Sequence, residues 1–177
     1  MERDRALKEL QARLTNVRFI RHSLEVEAIM RELASMLRDN IELWGLTGLL
    51  HDIDAERTEG EPSMHSIVGS EILENLDIDP EVVYAVKAHN DIHGIERKRK
   101  LDKALYCSDP MSWLIDACVC SLPSRKLSDV TTDYILSKFN DAGFAGELKR
   151  DQIRTCRELG LSLQEFAGIA LAAVQKI

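Results

Sequence analysis

The sequence predicts an all-α protein, and three observations predict it. Apolar residues recur at helical spacing almost throughout the 177 residues. Leu, Ala, Glu and Arg are all abundant, and only 5% of residues are aromatic. No stretch alternates apolar and polar side chains as a half-buried strand does.

The elements follow in order. Leu7, Leu10 and Leu14 mark a first amphipathic segment. Ile20, Leu24, Leu33 and Leu37 belong to a longer helix over 17–37, and a third over 41–50 runs directly into His51-Asp52. Residues 55–63 carry Gly60 and Pro62 and read as a loop, and a helix from Met64 to Leu76 follows. Asp79-Pro80-Glu81 supplies an N-cap, a proline at the first helical position and an acidic first turn to a helix ending near His89 or Asn90. A basic loop spans Gly94 to Lys100, Leu101 to Ser108 is helical, and Pro110 reads as the start of another helix. Pro123 breaks the chain. Val130 to Phe139, Asp151 to Leu159 and Ser162 to Gln175 complete the set, the last opened by a Ser162…Glu165 capping box. The expected architecture is a helical bundle with a site on facing helices. Residues 1–122 carry every histidine, and 123–177 form a C-terminal helical extension packed on them.

Composition narrows the function classes. A net charge of −7 gives no whole-molecule attraction to a nucleic-acid polymer or an anionic membrane. The most apolar run, Ile169 to Val174, is too short to span a bilayer, and the charged Met1 to Arg13 lacks the apolar centre of a secretory leader. Cys107, Cys118, Cys120 and Cys156 form no CxxC pair and read as small buried thiols. A cytoplasmic protein is expected.

The chemistry-bearing residues are concentrated. All five histidines fall between positions 22 and 93. His22 shares a helix face with Val26, Ile29 and Leu33; a lone histidine there would read as a core imidazole bonded to a carbonyl. His51-Asp52 ends a helix rich in leucine, from which a carboxylate should be expelled unless it is paired or binds a metal. Adjacent helical residues point about 100° apart, so both reach one ion only at the helix end. Asp109 follows the apolar run 104–107 and reads equally as a cap for a helix starting at Pro110 or as a ligand. Together, three helices each deliver a histidine or aspartate from an apolar context. Mixed nitrogen and oxygen donors suit iron, manganese, cobalt, nickel or zinc. His65 and His89 are candidates for a second ion, and His93 reads as a loop residue near them.

The order His22, His51-Asp52, Asp109, with its flanking stretches 21–26, 49–54 and 104–109, resembles the HD superfamily of metal-dependent phosphohydrolases. His65 in the stretch 65–73 and His89 in Ala88-His89-Asn90 resemble the superfamily's dinuclear branch. The resemblance covers roughly residues 20–117, and the tail around Leu122 to Leu127 is similar to that of an uncharacterised group of predicted HD hydrolases. It implies that His22, His51, Asp52 and Asp109 bind one metal and that Asp52 bridges to a second held by His65 and His89, with iron or manganese favoured. It further implies hydrolysis of a small phosphorylated substrate, a nucleotide among the candidates, by metal-activated water, with Asp52 at the reacting centre. Where some relatives place a candidate lysine acid and others a glutamate, this chain has Ala55. Asp54 and Lys87 are the further catalytic candidates, beside Glu56 as an alternative acid. Arg18, Arg21, Lys87 and the Arg97–Lys100 run are candidate phosphate-binding cations. The same pattern also resembles diiron oxygenases of the HD fold. A non-catalytic HD scaffold is the remaining alternative.

Overall fold

The computed structural model describes residues 1–177 and contains helices and no strand. The helices are α1 (Arg3–Gln11), α2 (Val17–Leu37), α3 (Ile41–Leu50), α4 (Ala55–Thr58), α5 (Ile67–Asn75), α6 (Pro80–His89), α7 (Lys100–Ser121), α8 (Thr132–Asn140), α9 (Arg150–Arg154) and α10 (Leu163–Val174). Short 3₁₀ turns cover Asp91–His93, Leu127–Asp129 and Thr155–Leu159. No helix is long and apolar enough to cross a membrane.

Local chemistry explains half of the helix starts. The side chains of Asn16, Asn40, Asp79, Thr131 and Ser162 each accept a backbone N–H from the first turn that follows. Ser162 and Glu165 form the expected capping box. Three expectations are corrected. The 55–63 stretch is not all loop, because Ala55–Thr58 makes one helical turn. The next helix begins at Ile67 rather than Met64, so His65 precedes it instead of opening it. Finally, α7 runs unbroken through Pro110.

Pro110 removes one helical donor, which costs about 3 kcal/mol in a helix interior. Leu105, Met111, Leu114 and Ile115 on the same helix are fully buried. Burial contributes roughly 1.5–3 kcal/mol for each such side chain, so continuing the helix wins. The consequence for the site is direct: Asp109 lies inside a helix and caps nothing.

Helix α2 is the organising element. It packs most extensively on α3 and also lies against α7 and α10. Gly48 permits the α2–α3 approach, since a Cβ there would sit 2.8 Å from the Glu27 nitrogen and the Val26 carbonyl oxygen. Glu27 reinforces it: its buried carboxylate accepts from Arg3 on α1 (2.6 and 2.8 Å) and from Arg31 (2.9 Å), which also holds Glu42 on α3. Apolar side chains of α1, α3, α5 and α6 form one core cluster. Those of α2, α7 and α8 to α10 form another, in which Val26, Leu105 and Met111 join Phe139, Phe166 and Ala170. Cys107, Cys118 and Cys156 are buried as expected, but Cys120 is exposed.

Candidate metal centre

Five elements converge on one point. His22 comes from α2, His51 caps α3 and Asp52 follows it, His65 lies in the turn before α5, His89 ends α6, and Asp109 sits midway along α7. His22 Nε2 is 3.2 Å from His51 Nε2 and 3.2 Å from Asp109 Oδ1. Asp52 lies between two groups: Oδ2 is 3.6 Å from His22 Nε2, while Oδ1 is 3.3 Å from His51, 3.3 Å from His65 and 3.5 Å from His89. His22, His51 and Asp109 form one potential metal-holding triad, and His51, Asp52 and His89 another.

The tautomers are set from behind. His51 Nδ1 donates to the Gly48 carbonyl (2.8 Å) and His89 Nδ1 to the Val86 carbonyl (2.5 Å). His65 Nδ1 donates to Asp54 Oδ1 (3.0 Å). His22 Nδ1 faces Ser112 Oγ at 3.2 Å; that hydroxyl donates to Glu25 Oε2 (2.7 Å), so its oxygen accepts the imidazole proton. In the neutral imidazole the other nitrogen then carries a lone pair. With all four imidazoles neutral, four Nε2 lone pairs and two carboxylates would face one another, and His89 Nε2 is buried without a hydrogen-bond partner. Imidazole held this way from a carbonyl or carboxylate is the usual arrangement at a metal ligand. The donor set fits a divalent transition ion.

Electrostatics among the protein groups alone agree. Burial lowers the His51 pKa to about 4, keeping it neutral. Burial opposes protonation of His65, but Asp52 and Asp54 overcome it and raise that pKa to about 10. His22 is likewise raised, with burial outweighed by Asp109 and Asp52. Burial would raise both carboxylates, yet His51 with His65 holds Asp52 well below its usual range, and His22 holds Asp109 below its own. In this cluster a proton on His65 or His22 stands where a cation would.

Asp54 and Lys87 are the remaining catalytic candidates. Asp54 is bonded within the fold. It is fully buried, and its carboxylate accepts from His65 Nδ1, Ser66 N (2.8 Å) and Gly69 N (2.8 Å). It is a positioning residue, and it holds Ser66 in the left-handed region at φ 69°. Lys87 lines a separate cavity with Glu74 and Tyr84. Glu56 is also engaged elsewhere, accepting from the Thr15 and Asn16 amides. His93 donates to the His65 carbonyl (2.8 Å), which Asn90 also bonds.

Of the candidate cations, Arg21 is held by Glu25 and Asp116. Arg97 lies over Tyr106 and near Glu158, and Lys98 and Arg99 lie over Tyr84. Arg18 makes no ion pair; its guanidinium stacks 4.7 Å from the Trp113 ring, beside Asp109. Trp113 is half-buried. Its ring stacks on His22 (4.2 Å between centroids) and lines an open cavity. Sequence reasoning missed the Glu25–Ser112 support of His22. A signal existed, since Glu25 stands one helical turn after His22 on a face that should be apolar.

An all-helical frame that gathers four imidazoles and two carboxylates defines a helical domain whose centre could hold a metal ion. The chain belongs to the HD domain family, whose profile matches residues 19–116. Members of this family are in general metal-dependent phosphohydrolases. Ribonuclease Y of Lawsonia intracellularis is 32% identical over 75 residues, which is 42% of this chain and 14% of that protein. Ribonuclease Y of Treponema denticola is 38% identical over 74 residues, 41% of this chain and 14% of that one. An uncharacterised protein of Methanocaldococcus jannaschii is 35% identical over 110 residues, 59% of this chain and 63% of that one. The match thus spans only a small fraction of the ribonucleases and under two thirds of the archaeal protein. No solved structure matches.

Proposed function

We propose that this protein is a metal-dependent phosphohydrolase acting on a small phosphate ester, with nucleotides the foremost class. The observation that carries the reading is the convergence of four Nε2 atoms, each with its Nδ1 occupied, on the two faces of Asp52. His22, His51, Asp52 and Asp109 would hold one ion. His65, His89 and Asp52 would hold a second, with iron or manganese favoured. Such ions supply Lewis-acid polarisation of a phosphoryl oxygen and acidify water from a pKa of 15.7 toward about 7. The chain's own groups do the positioning. Asp54 orients His65, the Ser112–Glu25 pair orients His22, and Trp113 stacks on the ring of His22. Arg18, the unpaired cation next to Asp109, would meet the phosphoryl group.

A second reading, cleavage of RNA phosphodiesters, rests on the ribonuclease Y relatives. The net charge of −7 opposes it, because affinity for a polyanion comes largely from phosphate neutralisation.

Elemental analysis of purified protein, followed by hydrolysis assays on nucleotides, other phosphomonoesters, diesters and short RNA, tests the readings. The expected result is one to two equivalents of transition metal and turnover of monoesters without oxygen. Turnover of RNA alone would replace the first reading by the second. An absolute need for oxygen would favour the oxygenase, and a metal-free protein the scaffold.

A further inference from the structure

Taking the two-ion reading of the metal centre, we propose that the C-terminal extension positions the second-ion half from outside the HD domain. Lys149, paired with Asp91, straps down the turn that bonds the His65 carbonyl, which makes Asp91 and Lys149 positioning residues for the second ion.

The turn Asp91–His93 has little else to hold it. It buries none of its residues, and Ile92 is 59% exposed. Apolar packing therefore contributes little to its place, and polar bonds must set it. On its inner side His93 donates to the His65 carbonyl (2.8 Å). Asn90, just before the turn, donates to the same carbonyl and to that of Pro62 (3.1 Å each). On its outer side Asp91 Oδ1 accepts from Lys149 Nζ at 2.9 Å. The family profile ends at residue 116, so this bond ties the turn to a part of the chain beyond the HD domain.

The backbone that carries Lys149 is itself fixed. Its neighbour Arg150 gathers the preceding loop, donating to the carbonyls of Phe139 (2.9 Å), Asp141 (2.9 Å), Ala145 (3.4 Å) and Phe144. Gln152 and Ile153 follow on α9 and are buried, and α9 packs on α7. The ammonium thus reaches Asp91 from a firm base.

The Lys149 and Asp91 side chains are 53% and 47% exposed. An ion pair so exposed adds little to global stability, and salt screens it. Its leverage is local, because groups behind a ligand change metal affinity without touching the ion. The pair bears on the turn between His89 and the His65 carbonyl. It touches no residue of the helices that carry His22, His51 and Asp109.

The test titrates manganese(II) into the metal-free full chain. Lys149→Ala should weaken the second ion about two- to fivefold, the range of an exposed ion pair, and leave the first unchanged. Asp91→Ala should do the same, and the double variant should lose no more than either single one, since both remove one interaction. Exchanging the charges, Asp91→Lys with Lys149→Asp, should recover most of the loss. At about 1 M salt, where charges are screened within about 3 Å, the ratio of second to first affinity should fall in the parent chain and not in Lys149→Ala. Hydrogen exchange in the metal-free chain reads the positioning itself. Amides of residues 63–66 should exchange faster in Lys149→Ala, and those of residues 46–50 should not. Unchanged second-ion affinity in both single variants, equal weakening of both ions, or additive losses in the double variant would overturn the strap. A parent chain that takes up one manganese, with exchange at residues 63–66 still raised in Lys149→Ala, would overturn the two-ion reading and keep the strap on His65. Two ions bound, with affinities and exchange unchanged in the variants, would do the reverse.

Discussion

His22, His51 and Asp109 come from three helices packed into the core, whereas His65 reaches the same centre from a strained turn and His89 from a helix end. On the first side the imidazoles are fully enclosed and their positions follow from helix packing, with Gly48 setting the approach. On the second side His65 keeps 25% of its side-chain surface exposed. Its place depends on Asp54, on the left-handed Ser66 and on the Asn90 and His93 bonds to its carbonyl. All four imidazoles are hydrogen-bonded from behind, but only His65 lacks full burial as well, so affinity in the second half is adjustable through residues that touch no ion.

Asp52 belongs to both halves, and its loss should have the largest effect. Asp52→Ala should weaken binding at both sites by more than about 100-fold, read as metal lost on dialysis by elemental analysis. Retention of full metal content would remove Asp52 from the centre. His65→Ala should keep about one equivalent and lose most turnover, since phosphoryl clamping needs both ions. Asp54→Asn should sharpen the contrast further. It leaves every proposed ligand in place but weakens the hydrogen bond behind His65, lowering affinity for the second ion by about 10–100-fold and sparing the first. If the two ions are lost in parallel in a metal titration of Asp54→Asn, the halves are not independent. Gly48→Ala acts on the first half. The new methyl meets backbone at 2.8 Å, which a rotamer change cannot relieve. A loss of about 1–3 kcal/mol in denaturant unfolding is expected.

The same division separates what the sequence disclosed from what it hid. The six clustered residues stood out because histidine is scarce here and because a carboxylate ending an apolar run is costly. The boundaries of α2, α3 and α6 were legible from periodicity and caps. Asp109 inside a helix was not, because the local rule for proline was overridden by burial on both sides of Pro110. The burial of Asp54 was not legible either, because its partners are backbone amides 12 and 15 positions later, and nothing local encodes their direction. The direction of Lys87 was legible from helix geometry. Two residues before His89 on one helix, it points roughly 200° away. The Lys149–Asp91 pair depends on how the C-terminal segment meets the turn after α6, which no spacing records.

The smallest expected effect concerns protons, and it corrects a reading from charge alone. Two neighbouring carboxylates without a cation should share a proton on one of them. Here Asp52 and Asp109 are both held in the ionised form by facing imidazoles, and the proton moves to histidine. The His65 pKa rises from 6.5 to about 10 in the fold. A raised pKa contributes stability that is fully present below the unfolded value and is lost as pH climbs through the folded one. Metal-free protein should therefore lose stability as pH rises from about 6.5 toward 10. With a cation at Nε2 there is no such proton to lose, so the metal-loaded form should vary less over the same range. The Tm increase on adding metal should widen with pH, and melts of both forms between pH 6.5 and 9 would show it. In His65→Gln the metal-free slope should flatten. A Tm increase that stays constant with pH, or an unchanged slope in His65→Gln, would mean that the cation does not take the place of this proton.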